Sequence, residues 1–168
     1  MTAKRLSRRA NSLWQFSLAV YAEPQVPPAC LMLQDRHEID VNLLLYAGWR
    51  AWTGDALSRE GCLSAKERSE VWRHDLVLPL RSIRRHAGTL ARMDPSFAQA
   101  YAALKACELQ LERQQQAMLA DGSDQDCGAS ADIATALEVL AASMGILDKP
   151  DVRSALATIA AAMEEIAR

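Results

Sequence analysis

The stretch Asp40-Val41-Asn42-Leu43-Leu44-Leu45-Tyr46-Ala47-Gly48-Trp49-Arg50-Ala51-Trp52 holds the most continuously apolar run in the chain. Asp40 directly precedes that run, so its carboxylate can accept the free backbone N–H groups of a first helical turn, and the helix is expected to start at Val41. Its apolar residues cover nearly every angle of a 3.6-residue period, a pattern a helix tolerates only with neighbours on all sides. Asn42 and Arg50 bracket seven apolar residues, far short of the roughly 20 that span a bilayer. A buried central helix is therefore predicted, closed by Gly54 as a left-handed stop.

The rest of the 168 residues supports one helical unit. Ala (30) and Leu (22) far outnumber Val (7) and Ile (6), which favours helices over strands. Net charge is −2, but residues 1–93 carry 14 Lys/Arg against 9 Asp/Glu, whereas 94–168 carry 5 against 12. Mutual attraction between the two parts is the preferred reading of this asymmetry, ahead of an anionic partner. Cys30, Cys62, Cys107 and Cys127 are widely spaced, with no C-x-x-C and no histidine at ligand spacing, so no zinc site or disulfide framework is indicated. Cys30 and Cys107 are read as structural thiols in apolar helical settings, and a reducing, bacterial-type cytosol is expected. The basic arm at 1–11 superficially imitates a secretory signal, but cleavage would discard Trp14, Phe16, Leu18 and Tyr21, which are assigned to the core.

Along the chain, Ser12 is expected to cap a helix from Leu13 to Ala22, ended by Pro24. Pro28 suits the first turn of a second helix. Residues 55–63 read as a loop, and the capping box Ser64-Ala65-Lys66-Glu67 predicts the next helix start. That helix carries the stripe Trp72, Leu76, Leu80, Ile83 and Ala87, leaving Arg73, Val77, Arg81, Arg84 and Arg85 on other faces. Pro79 interrupts it and predicts a kink or break between Leu76 and Pro79. Asp94-Pro95 starts a long helix, expected to pack along its first half and to become solvated towards Gln114–Gln116. Within it, Glu108 and Gln115 occupy positions of an otherwise apolar repeat formed by Phe97, Tyr101, Leu104, Leu111 and Met118. Residues 121–130 form an acidic, turn-rich linker that fails the calcium-loop pattern. Two amphipathic helices follow, on Ile133, Leu137, Leu140 and Met144 and on Val152, Leu156, Ile159, Met163 and Ile166, joined near Gly145–Pro150 as a hairpin.

Several of these segments together resemble a known family. Trp14-x-Phe16-Ser17-Leu18-x-x-Tyr21, Ala29-Cys30-Leu31-x-Leu33-Gln34-Asp35, Asp40 to Leu45, Trp72-Arg73 and Pro79-Leu80-Arg81-x-x-Arg84-Arg85 are similar to the bacterial domain of unknown function 2390. The resemblance covers roughly residues 12–118. It implies a helical, cytosolic bacterial protein and supplies no catalytic residues.

Two candidate sites stand out. The first is the polar junction Gln34, Asp35, Arg36, His37, Glu38, Asp40 and Asn42, where capping and interhelical hydrogen bonds compete with a ligand pocket as the explanation. Only Asp35 and Glu38 share helical ligand spacing, so no metal is expected. The second is the positive patch of Arg81, Arg84 and Arg85 on the kinked fourth helix, able to hold an anion, dock the acidic hairpin or simply face solvent. His74 and Asp75 project about 100° apart and cannot form a dyad. No nucleophile elbow, phosphate loop or H-E-x-x-H occurs, and no cofactor is inferred.

The expectation is an all-α bundle of about five principal helices around Val41–Trp52. It comprises a basic arm (1–11), a core (12–120), a linker (121–130) and a C-terminal two-helix hairpin (131–168). The preferred function is a cytoplasmic interaction or regulatory module with a protein partner or a second copy of itself, with no membrane contact. The alternative is a pocket between residues 34–42 and the helix over 64–87, in which Gln34, Asp35, His37, Asp40, Asn42, Arg73, Arg81 and Arg85 bind an anionic small molecule. Nucleic-acid binding through the basic face ranks third, against an acidic pI of about 5.9 and no aromatics interleaved with the basic residues.

Overall fold

Asp40 caps α3 (Val41–Trp52) by accepting the Asn42 N–H, and every residue from Asn42 to Arg50 is buried. The computed structural model describes residues 3–122 and 132–166, and these residues contain helices and turns without a strand. The fold is all-α, as expected. Around α3 pack α1 (Ala3–Ala22), α2 (Val26–His37), α4 (Arg59–Trp72), α6 (Ala98–Asp121) and α7 (Ile133–Ser143). Gly54 takes the left-handed conformation that stops α3 (φ 84°). Arg50 is buried near that end, its guanidinium donating to the Asp55 carbonyl and the Tyr46 hydroxyl.

Two helices start earlier in the chain than expected. Instead of starting after Ser12, α1 begins at Ala3. The α4 helix begins at Arg59, with Ser58 accepting from the Gly61 N–H. That earlier start brings Cys62 and Ala65 into the core, and Ser64, inside the helix, accepts from Arg68. Pro79 has the predicted effect. The preceding residues Arg73–Val77 form a π turn in which the Leu78 N–H reaches the Arg73 carbonyl, and α5 (Leu78–Met93) continues with the proline in its first turn.

The stripe on α5 does not become its packed face. Leu76 and Ile83 are exposed, whereas Val77, Arg81, Arg84 and Gly88 turn inward or towards α6. Gly88 permits the approach, since a Cβ there would lie 3.0 Å from the Tyr101 ring. Nor does α6 follow its expected gradient. After the 3-10 turn Pro95–Phe97, its first half is largely exposed, and Glu108, Gln115 and Gln116 are buried. Cys30 and Cys62 are buried, but Cys107 lies on that exposed half, contrary to its apolar assignment.

Helix α7 rests on α3 and α4, and α8 (Pro150–Ile166) on α2, α1 and α7, so the terminal hairpin shares one apolar core with α1–α3. At the centre of α3, Gly48 admits Met163 of α8 so closely that a Cβ would sit 2.3 Å from its sulfur. The acidic linker, beyond Asp121 and Gly122, lies outside the described residues, as does Cys127.

Candidate functional site

The N-terminus of α3 opens onto a cavity of about 280 Å³. Trp14, Ser17, Leu18 and Tyr21 of α1 form one wall, and Leu31 and Gln34 of α2 another. Asp40, Asn42 and Leu45 stand at the α3 end, Arg81 and Arg84 come from α5, and Glu108, Leu109, Glu112 and Gln116 from α6. Leu18, Tyr21, Leu31 and Leu109 are exposed, so apolar side chains make the mouth and charged ones the interior. Trp14, Leu18 and Tyr21 are thus wall residues where sequence reasoning placed core. Phe16 and Val20 on the opposite side of α1 are buried as expected.

Below the cavity runs a directional chain of hydrogen bonds. The Ser17 hydroxyl donates to Gln116 Oε1 (3.1 Å), and Gln116 Nε2 to Asn42 Oδ1 (2.9 Å). Asn42 Nδ2 then donates to Gln115 Oε1 (2.8 Å), and Gln115 Nε2 to Asp40 Oδ2 (2.5 Å). Each amide's orientation follows from its two neighbours, since only one assignment lets every link donate and accept. The chain ends on a carboxylate whose pKa burial nevertheless raises, despite Arg73 at 3.9 Å and the bonds from Gln115 and Asn42.

Above this chain lies an ionic layer. Arg81 donates from Nε to Glu108 (2.9 Å), from Nη1 to Gln34 Oε1 (2.6 Å) and from Nη2 to Glu112 (2.8 Å). Arg84 donates to the other Glu108 oxygen. Glu108 and Glu112 are one turn apart on α6, and like charges at that spacing repel unless a cation bridges them. Arg81 does so. Burial still raises Glu112, with Arg81 opposing and Glu108 reinforcing the shift.

The predicted site residues divide into three groups. Gln34, Asp40, Asn42 and Arg81 meet at the cavity. His37 and Arg73 instead line a second, more polar hollow of about 330 Å³ on the far side of Asp40. There His37 Nε2 lies 3.0 Å from Asp151 at the start of α8, and Arg73 donates to the carbonyl of Glu38 (2.9 Å). Glu38 presents that carbonyl from a left-handed backbone (φ 55°), a conformation that costs a non-glycine residue about 1 kcal/mol or more. Asp35 and Arg85 pair with each other at 2.6 Å on the exposed rim, and the guanidinium holds the Asp35 carboxyl below its usual range.

Two expectations about the arginines change. Arg81 and Arg84 face α6 and not the terminal hairpin. With Arg85 on Asp35, all three are matched to carboxylates, and Arg85 stays half exposed. Burial pushes the Cys30 thiol up to about 12, far from a reactive thiolate. Among the described residues no group of three or more His, Cys, Asp or Glu side chains could hold a metal ion. None of their helices is long and apolar enough to cross a membrane.

Sequence reasoning missed Ser17, Glu112 and Gln116 as site residues. It did register Glu108 and Gln115 as polar intrusions in an apolar repeat, seven residues apart and so on one face of α6. That was the available signal.

A family model described as a protein of unknown function, DUF2390, matches residues 12–119. The chain belongs to this family. The DUF2390 span includes every residue named at the cavity, from Trp14 to Gln116, and ends before α7 and α8. No curated protein and no solved structure matches the chain.

Proposed function

We propose that this DUF2390 protein binds a small organic molecule in the cavity at the N-terminus of α3. The supporting observation is the cavity's make-up: apolar walls over a few convergent polar groups, the usual constitution of small-molecule sites. Its volume is at the lower end for such sites, so the ligand is small. Screening a fragment library against the full chain by protein-observed NMR tests the reading. Binders are expected to shift the amide signals of Leu31, Leu45 and Leu109, and Leu18→Trp, which fills the mouth, is expected to weaken them by about tenfold or more. An empty screen, or binders that all map away from these residues, would refute it.

An interaction role keeps independent support. Along the α5–α6 pair, Ile83 (56%), Met93 (78%) and Phe97 (40%) are exposed, apolar area of a kind that self-association covers. Sedimentation should then reveal a concentration-dependent dimer that Ile83→Glu disperses. A single 18.5 kDa species at every concentration would exclude pairing through this surface.

A further inference from the structure

We infer that the cavity selects a cationic ligand, an organic ammonium group carried on an apolar body, in place of the anion that a cluster of arginines first suggests. The inference rests on the small-molecule reading above and specifies its ligand class. Three carboxylates line the cavity: Asp40, which has Arg73 at 3.9 Å, and Glu108 and Glu112, which share Arg81 and Arg84. Glu108 uses both oxygens on those arginines. Arg81 has placed its Nε, Nη1 and Nη2 on Glu108, Gln34 and Glu112, so an incoming anion would meet two carboxylates beside it.

Glu112 is the group left short. Its Oε1 accepts from Arg81, and its Oε2 has no hydrogen-bond partner among the described residues. The side chain is 28% exposed, within reach of a molecule in the cavity. An ammonium group is the complementary occupant. It supplies three donors and a positive charge to a partly desolvated carboxylate, where a charge-assisted bond is about twice as strong as a neutral one. Burial raises the pKa of both Glu112 and Asp40, in keeping with carboxylates that lack full compensation. The walls suit the rest of such a ligand. Leu18, Leu31 and Leu109 offer an apolar lining, and Tyr21 adds an aromatic ring of the kind that attracts cations. Trp14 already carries the Arg113 guanidinium 5.8 Å from its ring centroid, which shows the same affinity within the chain.

Three probes of equal length decide the matter: hexylammonium, 1-hexanol and hexanoate, titrated into the full chain at pH 7 by calorimetry, with NMR to place the contact. The expected order is hexylammonium tightest, hexanol about tenfold weaker and hexanoate weakest. Glu112→Gln, which keeps an acceptor for Arg81, is expected to bring hexylammonium down to the hexanol level. Equal binding of the three, or hexanoate first, would overturn the charge selection and leave the small-molecule reading standing. No binding by any of them at the cavity would overturn both. The order among the probes on the unmodified chain decides even where the variant does not fold.

Discussion

Replacing Arg81 with methionine is expected to destabilise the fold by about 3–5 kcal/mol, as breaking a buried ion pair from one side does. Both partners are well covered, with side-chain exposures of 14% for Arg81 and 8% for Glu108. Methionine fills much of the same space but cannot donate, so Glu108 keeps only Arg84, Glu112 loses its cation, and the Gln34 carbonyl loses its donor. The sign of the pH dependence follows from Glu112. Its folded pKa already lies above the unfolded value, and Arg81 is the main influence restraining it. Without Arg81 the shift grows. A raised carboxylate contributes stability below its unfolded pKa that is lost as pH rises through the folded pKa. The penalty of Arg81→Met should therefore be largest near neutrality and shrink in acid. Urea unfolding at pH 7 and pH 5 measures it, and a loss under about 1 kcal/mol at pH 7, typical of a surface pair, would contradict the buried arrangement. Adding Glu108→Leu should recover much of the loss, because an apolar replacement of the whole pair strands no charge.

Asp40→Ala comes next, at about 2–4 kcal/mol. About 1 kcal/mol of this is the lost helix cap. The remainder comes from the Gln115 amide, whose Nε2 then has no acceptor in a buried setting. Here the pH trend reverses. The Asp40 carboxyl is itself raised by burial, so in the parent protein it stabilises in acid and loses that contribution as pH rises through its folded pKa. Alanine removes the group, and the gap between parent and variant should narrow towards neutrality. Opposite pH trends for the two variants are thus the expected pattern. Asp40→Asn keeps a cap and an acceptor and should lose less than about 1 kcal/mol. If asparagine were as damaging as alanine, the carboxylate's hydrogen bonds would not be what holds this corner together.

The features legible in sequence are those decided within a few residues. Asp40 before an apolar run, Gly54 after it, Pro79 within a helix and Asp94-Pro95 at a helix start each act through backbone geometry that neighbours cannot easily override. The junction at Gln34–Asn42 was likewise visible as a concentration of polar groups next to a core helix. What escaped was the identity of the partners across space. Gln115 and Gln116 look solvated in a polar stretch of α6, and only the nearness of Asn42 and Ser17, more than seventy residues away, makes them interior. Arg81 and Arg84 read as a basic surface for the same reason. Their acids lie on another helix, and charge patterning along one helix cannot locate them. The sequence-wide asymmetry nevertheless pointed the right way, since the excess basic residues of the first part meet acids of the second at Arg81–Glu108, Arg81–Glu112 and Arg84–Glu108.

In angular terms, the π turn at Arg73–Val77 sets the phase of everything that follows it. One added residue rotates the downstream helix by about 100° relative to an uninterrupted α-helix. Helix α4 can therefore keep Cys62, Ala65 and Ser69 on the core while α5, nearly collinear in sequence, shows α6 a different side. Winding these same residues as a regular α-helix would leave length and composition unchanged. It would swing Arg81 and Arg84 away from Glu108 and bring aliphatic side chains opposite the α6 carboxylates. Helix phase, as much as residue identity, decides that this protein has a charged interior.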